Sequence, residues 1–168
     1  ENLNNIFESR NFLFGNRPSI ADIGFSGPFF RHFALDPVPL EIIRQKAPKV
    51  LSWVSNLWNA RVSKIDNDFE EGIPKDLEPL FREIGKVYLP YLSANVDAIK
   101  QNKTKFDFKF GNVFLKKARY SLYRVWCLKE LRDRYNKLEE KEKTQVEILL
   151  KKFGCWEPLW RDKNLPLM

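Results

Sequence analysis

The chain has 168 residues, long enough for one domain with a real core, and its 43% hydrophobic share with 14 Phe, 5 Trp and 5 Tyr excludes a disordered chain. Only 7 glycines and a charged share of 30% suit helices better than a sandwich or barrel. The net charge of +7 is uneven: residues 100 to 152 hold 16 Lys and Arg against 7 Asp and Glu, and the remainder is slightly acidic. Such asymmetry can steer anionic partners, although solvated helix faces explain it as well.

At the N-terminus, Leu3, Ile6 and Phe7 share one face and read as the closing turns of a helix. There is no starting Met, which points to a fragment or a processed product. Residues 16 to 25, N-R-P-S-I-A-D-I-G-F, place Ser19 and Asp22 three apart before an apolar run. This is a capping box with Asp in place of Glu or Gln, and Pro18 sets the entry angle. Losing the Asp22 carboxylate is expected to cost about 0.5–2 kcal/mol, as for any helix cap. Behind the box, Ile20, Ile23, Gly27, Phe30 and Phe33 fall at helical spacing, and Gly24 and Gly27 leave room for another helix. Asp36-Pro37 and Pro39 end this helix near Ala34. A short helix follows over 39–46. Pro48 then opens another, whose apolar stripe is Val50, Leu51, Val54, Leu57 and Trp58.

Residues 61 to 75 are polar and read as a loop. Asp76 caps a long helix over 76–101 with Leu77, Leu80, Phe81, Ile84, Val87, Tyr88, Tyr91 and Leu92 in period, and Pro90 kinks it. The alternating K-F-D-F-K-F, then Gly111-Asn112, then V-F-L-K predict a hairpin near 105–116 with a type II′ turn. Its Phe106, Phe108 and Phe110 face must lie on helices, because an isolated hairpin is marginal in water. From Arg119 a helix presents Tyr120, Tyr123, Cys127, Leu131, Tyr135 and Leu138 on one face, and a last helix over 140–153 ends at Gly154.

Little catalytic chemistry is legible. A single His excludes a Ser-His-Asp arrangement, no glycine-rich phosphate loop is present, and no C-x-x-C supports a metal site. His32 fits a capping or half-buried role better than that of a general base. Cys127 and Cys155 form no disulfide framework, which favours a reducing, cytoplasmic setting. Cys127, despite Arg124 and Lys129 nearby, reads as an inert thiol on an apolar face. No apolar run reaches the length that spans a bilayer. Phe29 and Phe33 are candidates to line an apolar substrate pocket. Tyr120, Tyr123 and Arg124, with Trp126, form an aromatic-basic cluster suited to an anionic ligand; ordinary packing accounts for both groups too. Nucleic-acid stacking on the basic segment is disfavoured, since the helix period turns its tyrosines and Leu131 inward.

The stretch F-L-F-G-N-R-P-S-I-A-D-I, residues 12 to 23, resembles the start of the sixth helix of cytosolic glutathione transferases, where Ser19 and Asp22 match the capping pair. A-P-K-V-L-S-W-V (47–54) is similar to the next helix of that family, and Y-R-V-W-C-L-K-E-L-R-D-R-Y (123–135) looks like an extension of some bacterial members. The resemblance implies an all-α fold of the transferase C-terminal type: a single helical domain over 1–168, with transferase-like core helices in 1–60 and an extension over 76–168. It implies that the chain starts near the end of the fifth helix and lacks the thioredoxin-like domain that binds the co-substrate glutathione and activates its thiol. No catalytic residue therefore carries over, and Ser19 and Asp22 keep a folding role. The expected function is the substrate-site and dimerisation half of a glutathione transferase-like protein acting on a small apolar substrate, inactive by itself. The expected partners are the thioredoxin-like domain and a second copy, with no membrane among them. The rival readings are a non-catalytic interaction module and, less favoured, a basic nucleic-acid-binding domain.

Overall fold

A computed structural model describes residues 1–64, 69–162 and 164–166. The chain forms two compact units, Glu1–Pro79 and Leu80–Met168, and it is all-α apart from one hairpin. Part of the loop expected over 61–75, residues 65–68, lies outside the described residues.

In the first unit, α1 (Asn2–Ser9) packs on α4 (Pro48–Trp58), while α2 (Ile20–Pro28) and α3 (Pro37–Lys46) flank a π-helical segment, Phe29–Phe33. The core joins Ile6 and Phe7 of α1 to Val50 and Trp53 of α4, with Phe12, Leu13 and Phe29. Trp53 is sandwiched: Phe7 stacks on it at 5.1 Å, and Phe29 meets it edge-on at 5.2 Å. Asn4 of α1 accepts the Lys49 N–H at 3.0 Å, capping α4 from a different helix because Ala47 cannot.

Two apolar stripes face otherwise than their spacing predicts. On α2 it is Asp22 and, in the turn beyond it, Phe29 that are buried, whereas Ile20 and Ile23 are exposed. Nothing approaches the open positions at Gly24 and Gly27. The reason is the carboxylate of Asp22, whose partners lie inside the unit and rotate the helix accordingly. On α4 the stripe is displaced onto Val50 and Trp53, leaving Trp58 exposed. Asp76 does not cap a long helix. It sits in a 3-10 turn, Lys75–Leu77, and its carboxylate takes both Arg10 Nη atoms at 2.7 Å in a bidentate pair.

In the second unit the expected long helix is divided into α5 (Glu78–Glu83), a π-helical stretch Ile84–Tyr88 and α6 (Leu89–Lys100). Pro90 stands in the first turn of α6, where its missing N–H is harmless. The wider turn before it shifts the helical phase, so Leu89, Leu92 and Val96 face the core while Tyr88 is 43% exposed. Gly85 lies in this stretch against the end of α8 (Glu140–Lys152): a Cβ there would stand 2.4 Å from the Phe153 carbonyl oxygen.

Helix α7 (Leu122–Asn136) begins later than Arg119, which closes the hairpin, and buries Val125, Leu128 and Arg132. Its predicted face is only partly covered: Tyr123 is 68% exposed and Leu131 39%, while Cys127 and Leu138 are half-buried and Tyr135 packs edge-on against Trp156 and Trp160. The start of α7 is held by the buried Asn95 of α6, whose amide accepts the Ser121 N–H at 2.8 Å and donates to the Ser121 carbonyl at 3.0 Å. Helix α8 ends as expected at Gly154 (φ +68), and the Cys155 N–H bonds back to the Leu150 carbonyl. Helix α9 (Trp156–Trp160) closes the unit, with Leu159 in its core.

The hairpin is present as β1 (Lys105–Phe110) and β2 (Val113–Arg119), antiparallel, with Gly111 at φ +53 in the two-residue turn. Phe106 and Phe108 lie on Tyr91 of α6, at 5.6 and 5.3 Å between rings. A bulge opposite Asp107 puts Lys117 at φ +54. The Asp107 carboxylate accepts the Lys117 N–H at 2.8 Å, which holds that conformation.

Candidate functional site

The chain segment Leu13–Ser19 can only turn into α2 if its N–H groups find acceptors, and Asp22 supplies them. Its Oδ2 accepts the Ser19 N–H at 2.8 Å and the Ser19 hydroxyl at 2.6 Å, completing the box. Its Oδ1 accepts the Leu13 N–H and the Trp53 indole N–H, each at 2.9 Å. A carboxylate with no exposed surface is thus satisfied by four donors from three residues. This sets the position of Trp53, and through it that of Phe29.

Beyond Pro28 the π-helical segment places Phe29 and Phe33 in ring contact at 5.2 Å. Both line a recess of about 350 Å³ together with Leu3, Ile43, Ala47 and Val50 and with Glu1 and Asn2. Phe29 is buried and Phe33 is 44% exposed, so one forms the floor and the other the rim. A second apolar recess of about 430 Å³ lies along another side of α4 between Phe30, Leu35, Leu51 and Trp58, with Phe30 edge-on to Trp58 at 5.2 Å. The aromatic pair was legible in the sequence. Trp53, which seats it, was not, because its role depends on the indole N–H finding Asp22 across 31 residues.

In the second unit the other candidates do not converge. Arg124 donates to the Arg119 carbonyl at 2.8 Å, and its guanidinium lies 4.9 Å from the ring of Tyr91. Tyr123 stacks instead on Trp126 at 5.5 Å, on the outside of α7. Tyr120 precedes the helix and gives its backbone N–H to Thr104 at the hairpin base. Cys127 is half-buried and hydrogen-bonded to the Tyr88 hydroxyl; that phenol is pushed above its ordinary pKa chiefly by burial and then by Cys127. Cys155 is buried, its thiol raised by desolvation and within 3.4 Å of the Phe81 carbonyl oxygen, an inert environment. His32 is exposed and stands 3.6 Å from the Asp36 carboxylate at the end of its helical segment, so of the two expected roles, capping or half-buried, the second does not apply. Among the described residues no three His, Cys, Asp or Glu side chains are grouped to hold a metal ion, and no helix is long and apolar enough to cross a membrane.

Residues 1–60 match the family of the glutathione S-transferase C-terminal domain. Neither a curated protein nor a solved structure matches the chain. The matched span contains the Ser19–Asp22 box, the indole it anchors and the recess floored by Phe29. Over residues 1–60, about a third of its length, the chain is similar to the glutathione S-transferase C-terminal domain family.

Proposed function

We propose that this chain supplies the apolar wall of the substrate site, and a dimer contact, in a glutathione transferase-like protein of the reducing cytoplasm. The observation that carries the reading is the recess around Phe29 and Phe33, which lies inside the family-matched span and is lined by six apolar side chains besides Glu1 and Asn2. Such a lining suits a small apolar electrophilic or reducible substrate. It does not suit glutathione itself, whose two carboxylates call for cationic or N–H donors, whereas the side chains of the recess include no cation. Glutathione would therefore be held by a thioredoxin-like domain of the same protein, and its thiol activated there. The exposed Ile20 and Ile23 of α2 and Val38 and Ile42 of α3 offer the surface a second copy would cover.

Titrating an apolar fluorescent dye into the 168-residue chain tests the recess. Val50→Asp and Phe33→Asp are expected to abolish the signal, and unchanged binding in both would refute the assignment. Glutathione conjugation to a nitroaryl halide by this chain alone, above the buffer rate, would show that the activating group lies within it.

A non-catalytic interaction module is the second reading, and the extent of exposed apolar surface on α2 and α3 favours it. Absence of conjugation by the parent protein would decide for the module.

A further inference from the structure

The inner face of the hairpin is accounted for by Tyr91; its tip and outer face are not. From the turn backward, Val113, Phe114 and Leu115 are 47, 49 and 40% exposed. Because side chains alternate along a strand, these three consecutive residues project from both faces of the ribbon. Val113 and Leu115 stand opposite Phe110 and Phe108, while Phe114 stands opposite Lys109 on the reverse side. A protein or a nucleic acid laid against one face would leave the other apolar face in water. Immersion of the tip in a fluid interface covers both.

Behind the tip stands a belt of cations. Lys109 flanks Phe114 across the strands, and the Lys116 ammonium lies 5.7 Å from the Phe114 ring. Lys117 follows at the bulge, and Lys105 and Arg119 face each other further back. The acid within this belt, Asp107, is committed to the Lys117 backbone N–H. None of the five cations has an ion pair among the described residues, and like charges opposed across a strand pair are destabilising. At about 3.3 Å per residue the three apolar positions extend roughly 10 Å from the turn, the depth to which interfacial segments enter the headgroup boundary. Beside the hairpin, a recess of about 470 Å³ adds Lys103 to Lys105 and Lys117, and the Asp97 carboxylate at its wall is already paired with Arg161 at 2.8 Å.

We propose that the hairpin tip is a docking element for an anionic bilayer surface: Val113, Phe114 and Leu115 enter the interface, and Lys105, Lys109, Lys116, Lys117 and Arg119 meet lipid phosphates. A basic belt near a charged leaflet supplies attraction that salt weakens. Edge protection against strand pairing would explain lysines on either strand, since both strands of a two-stranded sheet are edges. It would not explain the exposed Phe114 among them.

The test is co-sedimentation of the 168-residue chain with phosphatidylcholine vesicles containing 30% phosphatidylglycerol. Binding is expected at 50 mM salt, with loss at 500 mM and on pure phosphatidylcholine. Phe114→Ser is expected to weaken partitioning about tenfold, from the apolar area withdrawn from the interface. Lys109→Gln combined with Lys116→Gln is expected to weaken it at least tenfold, from two lost headgroup attractions. All these positions are exposed, so unchanged far-ultraviolet circular dichroism should certify the fold. Val113→Ser serves as the second tip variant should Phe114→Ser melt early. Absence of vesicle binding would overturn the proposal, as would binding indifferent to the tip variants. So would tighter binding to a single-stranded 20-mer oligonucleotide with the same lysine dependence, which would assign the face to nucleic acid.

Discussion

Asp22 in the first unit and Arg132 in the second are both buried charges on helices, but they are satisfied very differently. Asp22 is surrounded by four donors. Arg132 gives Nε to the Leu159 carbonyl at 2.7 Å and Nη1 to the Asp162 carbonyl at 2.6 Å, while its other terminal nitrogen has no partner. Burial pushes the guanidinium below its ordinary pKa, and the Asp162 charge opposes that shift. Carboxylate oxygens only accept, so the free N–H groups of a helix start and an indole suffice for Asp22. A guanidinium carries five donors and must collect carbonyls from a chain end that α7 does not itself supply. The first unit is tied by a saturated knot, the second by an incompletely bonded clamp.

This contrast predicts that Asp22→Ala has the largest effect, about 3–5 kcal/mol in chemical denaturation, because it orphans the buried Leu13 and Trp53 N–H groups as well as removing a cap. A loss under 2 kcal/mol would reduce Asp22 to the ordinary cap its spacing predicts. Gly85→Ala comes next at about 3 kcal/mol, since its Cβ meets the backbone of Phe153 rather than a side chain that could turn away. Arg132→Met is expected to cost only about 1–2 kcal/mol, because it removes an incompletely bonded buried cation along with two hydrogen bonds. A loss as large as that of Asp22→Ala would erase the distinction between knot and clamp.

Alkaline melts sharpen the same comparison within the second unit. The Cys155 and Tyr88 pKa values are raised in the folded state, so the unfolded chain releases these protons first as pH rises. Stability should be unaffected by them below about pH 8, begin to fall as the unfolded thiol ionises, and go on falling as pH climbs through the folded values. Cys155→Ala should flatten the slope of melting temperature between pH 9 and 10.5. Smallest of all, Ile23→Gln should change stability by less than about 0.5 kcal/mol, because Ile23 is 63% exposed. A loss of 2 kcal/mol would restore the stripe that helical spacing predicts for α2.

Local signals were read well where the physics is local. The Ser19–Asp22 spacing, the Gly111-Asn112 turn between alternating strands and the Gly154 terminator each involve residues within a few positions of one another, and each is present. Helix faces were read poorly. Ile20, Ile23, Tyr123 and Leu131 share the period of their helices but point outward, because hydropathy identifies apolar side chains and not which face a carboxylate or guanidinium pulls inward. The π-helical stretch before Pro90 compounds this by displacing the phase that a uniform period assumes. Of the candidate site, Phe29 and Phe33 were accessible as an i, i+4 pair, while their seat on Trp53 needed a bond between distant helices.

By itself the sequence determined the Ser19–Asp22 helix start, the Gly154 stop, the hairpin and the F-L-F-G-N-R-P-S-I-A-D-I stretch that resembles the family, since these are decided by neighbours along the chain. Only the tertiary structure decided that Asp22 anchors an indole, that Tyr123 faces outward and that Val113, Phe114 and Leu115 stand uncovered at a charged tip. Those outcomes depend on which donors, rings and charges arrive from remote segments, and spacing along one element does not encode their arrival.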